Sequence, residues 1–245
     1  MTAQQIKSPK VTVIIPHWNG IEILEPCLRS LEATKYDHLE IVVVDNASSD
    51  DSVAFVHREF PNVKVIQNTE NLGFAGGCNV GLREVESDYY LVLNNDTTHD
   101  SDWISPLVEQ MEIDSSIAAV QPKIMSAQNP EVFDYAGGVG GLIDILAFPY
   151  ALGRIFTTTE KDDGYYDIPR DIFWASGTAL LIRGAALQDV GLFDEDFFAH
   201  MEEIDLCWRF HNAGWRVVNA PKSRICHHSG WTLPPDRYQK KYLNH

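Results

Sequence analysis

The sequence predicts an α/β fold, an open and mostly parallel sheet with helices on both faces, and three observations carry that reading. From residue 11 to residue 122, short runs rich in Val, Ile and Leu alternate with stretches of helical spacing. The runs are apolar at successive positions instead of alternating with polar residues, the pattern of parallel strands covered on both faces. A chain of 245 residues that is 44% hydrophobic and 22% charged suits one α/β domain, or one domain with an appended lobe.

Taken in order, VTVIIP (11–16), EIVVVD (40–45), VKVIQ (63–67), YYLVLN (89–94) and IAAVQP (117–122) are the predicted strands. Between them IEILEPCLRSLEA, DSVAFVHREF, FAGGCNVGLREV and DWISPLVEQME show helical spacing. The second of these helices is introduced by Asn46, Ser48, Ser49 and Asp50, residue types that cap helix N-termini. Strand-helix alternation implies right-handed crossovers, and in such sheets a ligand lies beyond the carboxyl ends of the strands. Three strand ends carry polar groups, His17-Trp18-Asn19, Asp45-Asn46 and Asn94-Asn95-Asp96, and they are expected to converge on one crevice. After residue 123 the period is lost. Residues 126–170 are rich in Gly, Asp, Tyr and Pro and read as a loop-rich insertion with a hairpin. SGTALLIRGAALQDV (176–190) then reads as strand and helix, residues 202–213 as a helix stopped by Gly214, and WRVVNAP as a strand.

Composition narrows the function. With 19 basic and 35 acidic residues the formal charge is −16, so the chain lacks the electrostatic attraction that draws proteins to polyanions, and no nucleic-acid partner is expected. An anionic small substrate would need local compensation from a metal, a helix N-terminus or a few placed basic groups. Cys27, Cys78, Cys207 and Cys226 have no close-spaced pairing, which argues against a disulfide framework or a zinc ribbon and for a reducing, cytoplasmic setting. MTAQQIKSPK lacks the apolar core of a signal peptide, and GGLIDILAFPYALG is too short and interrupted to span a bilayer.

Each candidate group has a chemical and a structural reading. Asp96, placed after two amides at a strand end, suits a divalent cation that keeps positions for phosphate oxygens, or else it closes a turn. Asp45 reads as an acceptor for a base or ribose, or as a helix cap. Trp18 offers a stacking face for a planar base, or packs in the core. Asn71-Leu72-Gly73-Phe74-Ala75-Gly76-Gly77 precedes a helix, and its glycines let backbone N–H groups approach a ligand; it is not a dinucleotide fingerprint. Glu202, Glu203 and Asp205 open a helix, where the dipole favours acids whatever their use, and one of them is a candidate general base. His227, beside His228, is a candidate metal ligand or a satisfied core histidine.

Together these stretches resemble the inverting, GT-A-fold glycosyltransferases of family 2, in particular the bacterial rhamnosyltransferase-like and galactofuranosyltransferase-like members. The resemblance runs from VTVIIPHWNG through VVVDNASSD, NLGFAGGCNVGL, YLVLNND, ASGTALLIR, GLFDEDFF, MEEIDLCWR and AGWRVVNAP to CHH. It implies a Rossmann-like sheet in a single 1–245 domain, with a nucleotide-binding half (11–122), an acceptor-binding half (123–230) and the start of a further segment (231–245). It implies nucleotide-sugar contacts from Pro16, Trp18, Asn19, Asp45, Asn71, Gly73, Phe74, Asn79, Asn94 and Asn95. Mn2+ or Mg2+ is then expected on Asp96 and His227, with His228 as the alternative ligand. Asn94-Asn95-Asp96 resembles the Asp-x-Asp motif with an amide in place of its first carboxylate. Glu203 matches the second acid of the family's Glu-Asp pair and is the expected base, with Glu202 as the alternative.

The implied reaction is a single displacement from a UDP- or dTDP-sugar to a hydroxyl of a glycan or lipid-linked saccharide. Relatives usually continue past the counterpart of DRYQKKYLNH into a helical, often membrane-associating segment, so peripheral attachment at the inner face of the cell membrane is expected. Two rivals are a sugar-1-phosphate nucleotidyltransferase, whose basic glycine-rich loop PHWNGIEI lacks, and a nucleotide-sugar-binding protein without turnover. The sequons at Asn46 and Asn95 lie at the proposed site and read as coincidental.

Overall fold

The structure is a computed structural model that describes residues 8–228. The expected segment 231–245 lies outside the described residues. In chain order the elements are β1 (Val11–His17), α1 (Ile21–Glu32), β2 (Leu39–Asp45), α2 (Ser52–Glu59), β3 (Lys64–Gln67), α3 (Gly73–Glu84), β4 (Tyr89–Leu93), β5 (Thr97–His99), α4 (Ile104–Ile113) and β6 (Ile117–Ser126). There follow β7 (Gly141–Ile143), β8 (Pro149–Ala151), β9 (Arg154–Ile155), β10 (Thr158–Thr159), β11 (Ala179–Arg183), α5 (Gly184–Val190), α6 (Glu202–Asn212) and β12 (Arg216–His227).

Eight strands form one sheet in the order β3-β2-β1-β4-β11-β6-β12-β5. β3, β2, β1 and β4 are mutually parallel, β12 is parallel to β6, and β11 runs antiparallel to both of its neighbours. This is the open, mostly parallel sheet expected from the apolar runs. Strands β6, β11 and β12 extend the first half's sheet, so the two halves share one continuous layer.

The apolar runs bury both of their faces. Val11, Val13 and Ile15 of β1 pack with Leu24 and Leu28 of α1, Val56 of α2 and Leu107 of α4, while Ile14 faces Cys78 and Leu82 of α3 and lies in the cluster that holds Leu206 and Phe210 of α6. Helix α3 sits unusually close to the sheet. A Cβ at Gly81 would lie 2.6 Å from Ile14, and one at Gly77 would lie 2.9 Å from the Asn46 amide, so these positions accept only hydrogen.

The 126–170 insertion is built of two small hairpins, β7-β8 and β9-β10, over a minor core of Met125, Phe133, Val139 and Tyr166. Buried Lys123 ties it down through Asp162 at 2.7 Å and Asp167 at 2.5 Å. Among the described residues all four cysteines are free, and no helix is long and apolar enough to cross a membrane.

Candidate active site

β5 is too short and polar to stand out in the sequence, yet it sets the geometry of the site. It pairs with the end of β12, Thr97 opposite His227, and His228 N–H donates to the Asp96 carbonyl at 2.8 Å. That register brings Asp96, just past the end of β4, to 3.1 Å from Nε2 of His227 (Asp96 Oδ1), although the two are far apart in the chain. His228 points its ring toward Thr98 instead, at 3.5 Å. Below the turn, His99 stacks on Trp103 at 4.3 Å and hydrogen-bonds Ser30 and Thr97, whose hydroxyl donates to the Asn94 carbonyl. His99 is structural, and burial holds its pKa down at about 3.

A residue that sequence reasoning missed completes the arrangement. Nδ1 of His227 lies 3.0 Å from Asp134 Oδ1, and both residues are buried. Asp134 comes from the insertion, and neither its spacing nor its neighbours Phe133 and Tyr135 announce it. Desolvation lowers the pKa of His227, but hydrogen bonds to Asp134 and Asp96 outweigh it and hold the imidazole up at about 10. The place therefore favours positive charge strongly. A carboxylate oxygen beside an imidazole nitrogen, with the second ring nitrogen held by another carboxylate, is a donor set that suits Mn2+ or Mg2+ with phosphate oxygens in the other positions. Among the described residues no cluster of three His, Cys, Asp or Glu forms a complete protein cage.

At the carboxyl ends of β1 and β2, His17 stands opposite Asp45 in the ladder. His17 Nδ1 meets the Asn95 amide at 2.8 Å, while its Nε2 is buried without a hydrogen-bond partner among the described residues. Burial lowers the pKa of His17, against the charges of Asp45, Asp50 and Glu22. Asp45 is buried and accepts from Ser48 N–H at 3.2 Å. Trp18 is 49% exposed and stands at the rim, not in the core. Asn19 has a structural task. Its Oδ1 accepts from Ser49 and Asp50 N–H and its own N–H donates to Ser48, which knits the β1-α1 loop to the β2-α2 loop.

The glycine-rich start of α3 also departs from expectation. Its N–H groups do not open onto the crevice: those of Phe74 and Ala75 donate to the Phe198 carbonyl, and Gly73, at φ +72°, is so close to Phe198 that a Cβ would fall 2.4 Å from its oxygen. Asn71 Oδ1 accepts from Gly73 N–H and shapes this turn. Asn79 is fully buried, donating to the Phe193 carbonyl and Glu195 and accepting from Phe193 N–H, so it secures the 193–195 loop and presents nothing to a ligand. Pro16 is half-buried against the same helix, a Cβ at Gly77 falling 3.1 Å from it.

Across from Asp96, the turn Ser176-Gly177-Thr178 joins the end of β4 to the acidic pair. Asn94 N–H donates to the Thr178 carbonyl at 2.9 Å, and a Cβ at Gly177 would lie 3.8 Å from Glu202 Oε1 and 3.2 Å from Phe74. Phe198, His200 and Met201, just ahead of the pair, all have positive φ, a strained backbone that fixes where α6 begins. Glu202 is buried and Glu203 is half-buried, but Oε2 of each is shielded and has no hydrogen-bond partner among the described residues. Desolvation raises both pKa values above the ordinary range; the Glu203 charge adds to the shift of Glu202, and the backbone N–H groups of Met201, Glu203 and Ile204 partly offset that of Glu203. A carboxyl held above its usual range suits proton transfer near neutral pH.

The L-rhamnosyltransferase of Mycobacterium tuberculosis (strain CDC 1551 / Oshkosh) named for N-acetylglucosaminyl-diphospho-decaprenol is 26% identical over 227 residues, covering 87% of this chain and 74% of that protein. The poly-beta-1,6-N-acetyl-D-glucosamine synthase of Staphylococcus aureus (strain COL) is 25% identical over 228 residues, covering 92% of this chain and half of the synthase. The structure of GalNAc-T7 with UDP, GalNAc and Mn2+ superposes with a TM-score of 0.74 at 18% identity over 93% of this chain and 46% of that one, which shows a shared GT-A fold. The profile described as Glycosyl transferase family 2 matches residues 12–169, well over half of the chain. The chain belongs to glycosyl transferase family 2 and is a glycosyltransferase.

Proposed function

We propose that the chain moves a sugar from a UDP- or dTDP-sugar to a hydroxyl of a glycan or lipid-linked saccharide, with inversion at the anomeric carbon. The observation that carries this reading is the 3.1 Å approach of Asp96 and His227 at the carboxyl edge of the sheet, with the acidic pair across the 176–178 turn. The name of the mycobacterial relative, which includes a diphospho-decaprenol, supports a lipid-linked acceptor, and the UDP and Mn2+ bound to GalNAc-T7 support the donor and metal class. We also propose that the reaction takes place in the cytoplasm, at the inner face of the cell membrane.

Asp96 and His227 would hold Mn2+ or Mg2+, which when bound neutralises charge on the departing diphosphate. Asp134 keeps the His227 ring oriented. Trp18 supplies the stacking face for the base, Asp45 an acceptor at its edge, and Asn94 and Asn95 line the path to the diphosphate. Glu203 is the better base of the pair, because it retains some exposure while Glu202 is closed off beside Gly177 and Phe74. Glu203 takes the acceptor hydroxyl proton as the oxygen attacks the anomeric carbon. The bond to the diphosphate breaks on the opposite face, its electron pair leaves with the nucleotide, and the configuration inverts.

The test separates the two roles. Asp96→Ala should abolish transfer and weaken Mn2+-dependent binding of the donor by calorimetry, whereas Glu203→Gln should abolish transfer and leave donor binding intact. Unchanged turnover in either variant overturns the assignment.

A further inference from the structure

The insertion carries an apolar surface that the transfer chemistry does not use. At the tip of the β7-β8 hairpin Ile145 is 100%, Leu146 74% and Phe148 66% exposed, and at the tip of the β9-β10 hairpin Phe156 is 89% exposed. Single exposed apolar side chains are ordinary, but several large ones on adjoining protrusions mark an interaction surface. The charge pattern is equally distinctive. In a chain with 35 acidic residues, Ile145 to Thr159 contains none, and its single charge is Arg154. Asp144, at the start of the first tip, is exposed, and its Oδ1 accepts from Leu146 and Phe148 N–H within the turn.

We propose that these two hairpin tips insert into the interfacial region of a lipid bilayer. The side chains are graded along the protrusions in the order such a region demands. Ile145, Leu146, Phe148 and Phe156 occupy the turns, while Tyr150 and Arg154 stand in strands β8 and β9, the Arg154 guanidinium 4.0 Å from the centre of the Tyr135 ring. Aromatic rings with a polar end and a long-stemmed cation settle at headgroup depth, and aliphatic side chains settle below it. Apolar side chains that are largely exposed on the turns of two short hairpins suit a fluid surface. The absence of acid from this stretch removes the repulsion that the rest of the chain would meet at an anionic membrane. The surface goes beyond the proposed reaction, since none of its residues is among the groups proposed to carry it; Asp134, which holds His227, comes from the same insertion.

The experiment is flotation of the full chain with vesicles of phosphatidylcholine alone and of phosphatidylcholine mixed with phosphatidylglycerol. The wild type should float with both, insensitive to added salt because apolar insertion drives binding. The triple variant Ile145→Ser, Leu146→Ser, Phe148→Ser, and separately Phe156→Ser, should lower the partition coefficient by about tenfold or more. Melting temperature and donor binding should stay unchanged, because these side chains contact neither core nor crevice. A wild type that does not float, or variants that float equally well, would overturn the proposal. So would light scattering that finds wild-type dimers which the triple variant dissociates, since the tips would then join two copies of the chain.

Discussion

At His227 the two ring nitrogens are held 3.1 Å from Asp96 and 3.0 Å from Asp134, so neither ring rotation nor a change of tautomer is free. Carboxylates that orient a metal-binding imidazole typically contribute tenfold to a hundredfold in metal affinity. Asp134→Asn is expected to raise the Mn2+ concentration needed for half-maximal transfer by that about 10–100-fold range, with the fold retained; an unchanged titration would mean that the ring is held elsewhere. Glu203 yields a second test. Its native pKa lies above the ordinary 4.5, so it favours the folded state only while protonated. That contribution is complete below 4.5 and disappears as the pH rises through the raised native value. Glu203→Gln should therefore melt higher than wild type in mildly alkaline buffer and converge with it in acid, as seen by differential scanning fluorimetry. A variant that melts lower at every pH would show that the carboxylate is held by bonds that stabilise it. Asp96, His227 and Glu203 could be proposed from the sequence because they sit near the ends of recognisable elements. Asp134 was not, because nothing in a glycine-rich loop signals which distant side chain it will meet.

The elements themselves were largely legible. The predicted helix starting at Phe74 is α3 from Gly73, and the predicted strands match β1, β2, β3 and β4 to within about two residues, because continuous apolar runs must be covered on both sides. The glycines of α3 invited a ligand-binding interpretation, but in the structure they bring the helix close to the sheet. Gly81→Ala would force a Cβ to 2.6 Å from Ile14 and is expected to destabilise the protein by about 1–3 kcal/mol. Chemical denaturation measures this directly, and a neutral result would mean that α3 can shift outward at no cost. β5 escaped notice since three polar residues have neither length nor period, and the hairpins of the insertion since their strands are two or three residues long.

Across the whole molecule, two apolar layers hold the sheet between its helices, and the proposed catalytic edge is assembled from strands whose order differs from that of the chain. Because those layers carry the fold, the proposed metal serves the reaction and not the structure. A chelator should abolish transfer, Mn2+ or Mg2+ should restore it, and circular dichroism and melting should barely change; unfolding on chelation would contradict this, since structural metal sites couple binding to folding. Periodicity and strand-end polarity were enough to establish the α/β class and the parallel core and to propose the edge where chemistry occurs, since each follows from local preference and burial. The pairing of β5 with β12, the threading of β11 between β4 and β6, and the meeting of Asp96, His227 and Asp134 depend on contacts between segments far apart in the chain. Local propensity carries no record of such partners, and they emerge when the sheet closes its ladders and the insertion packs over its edge.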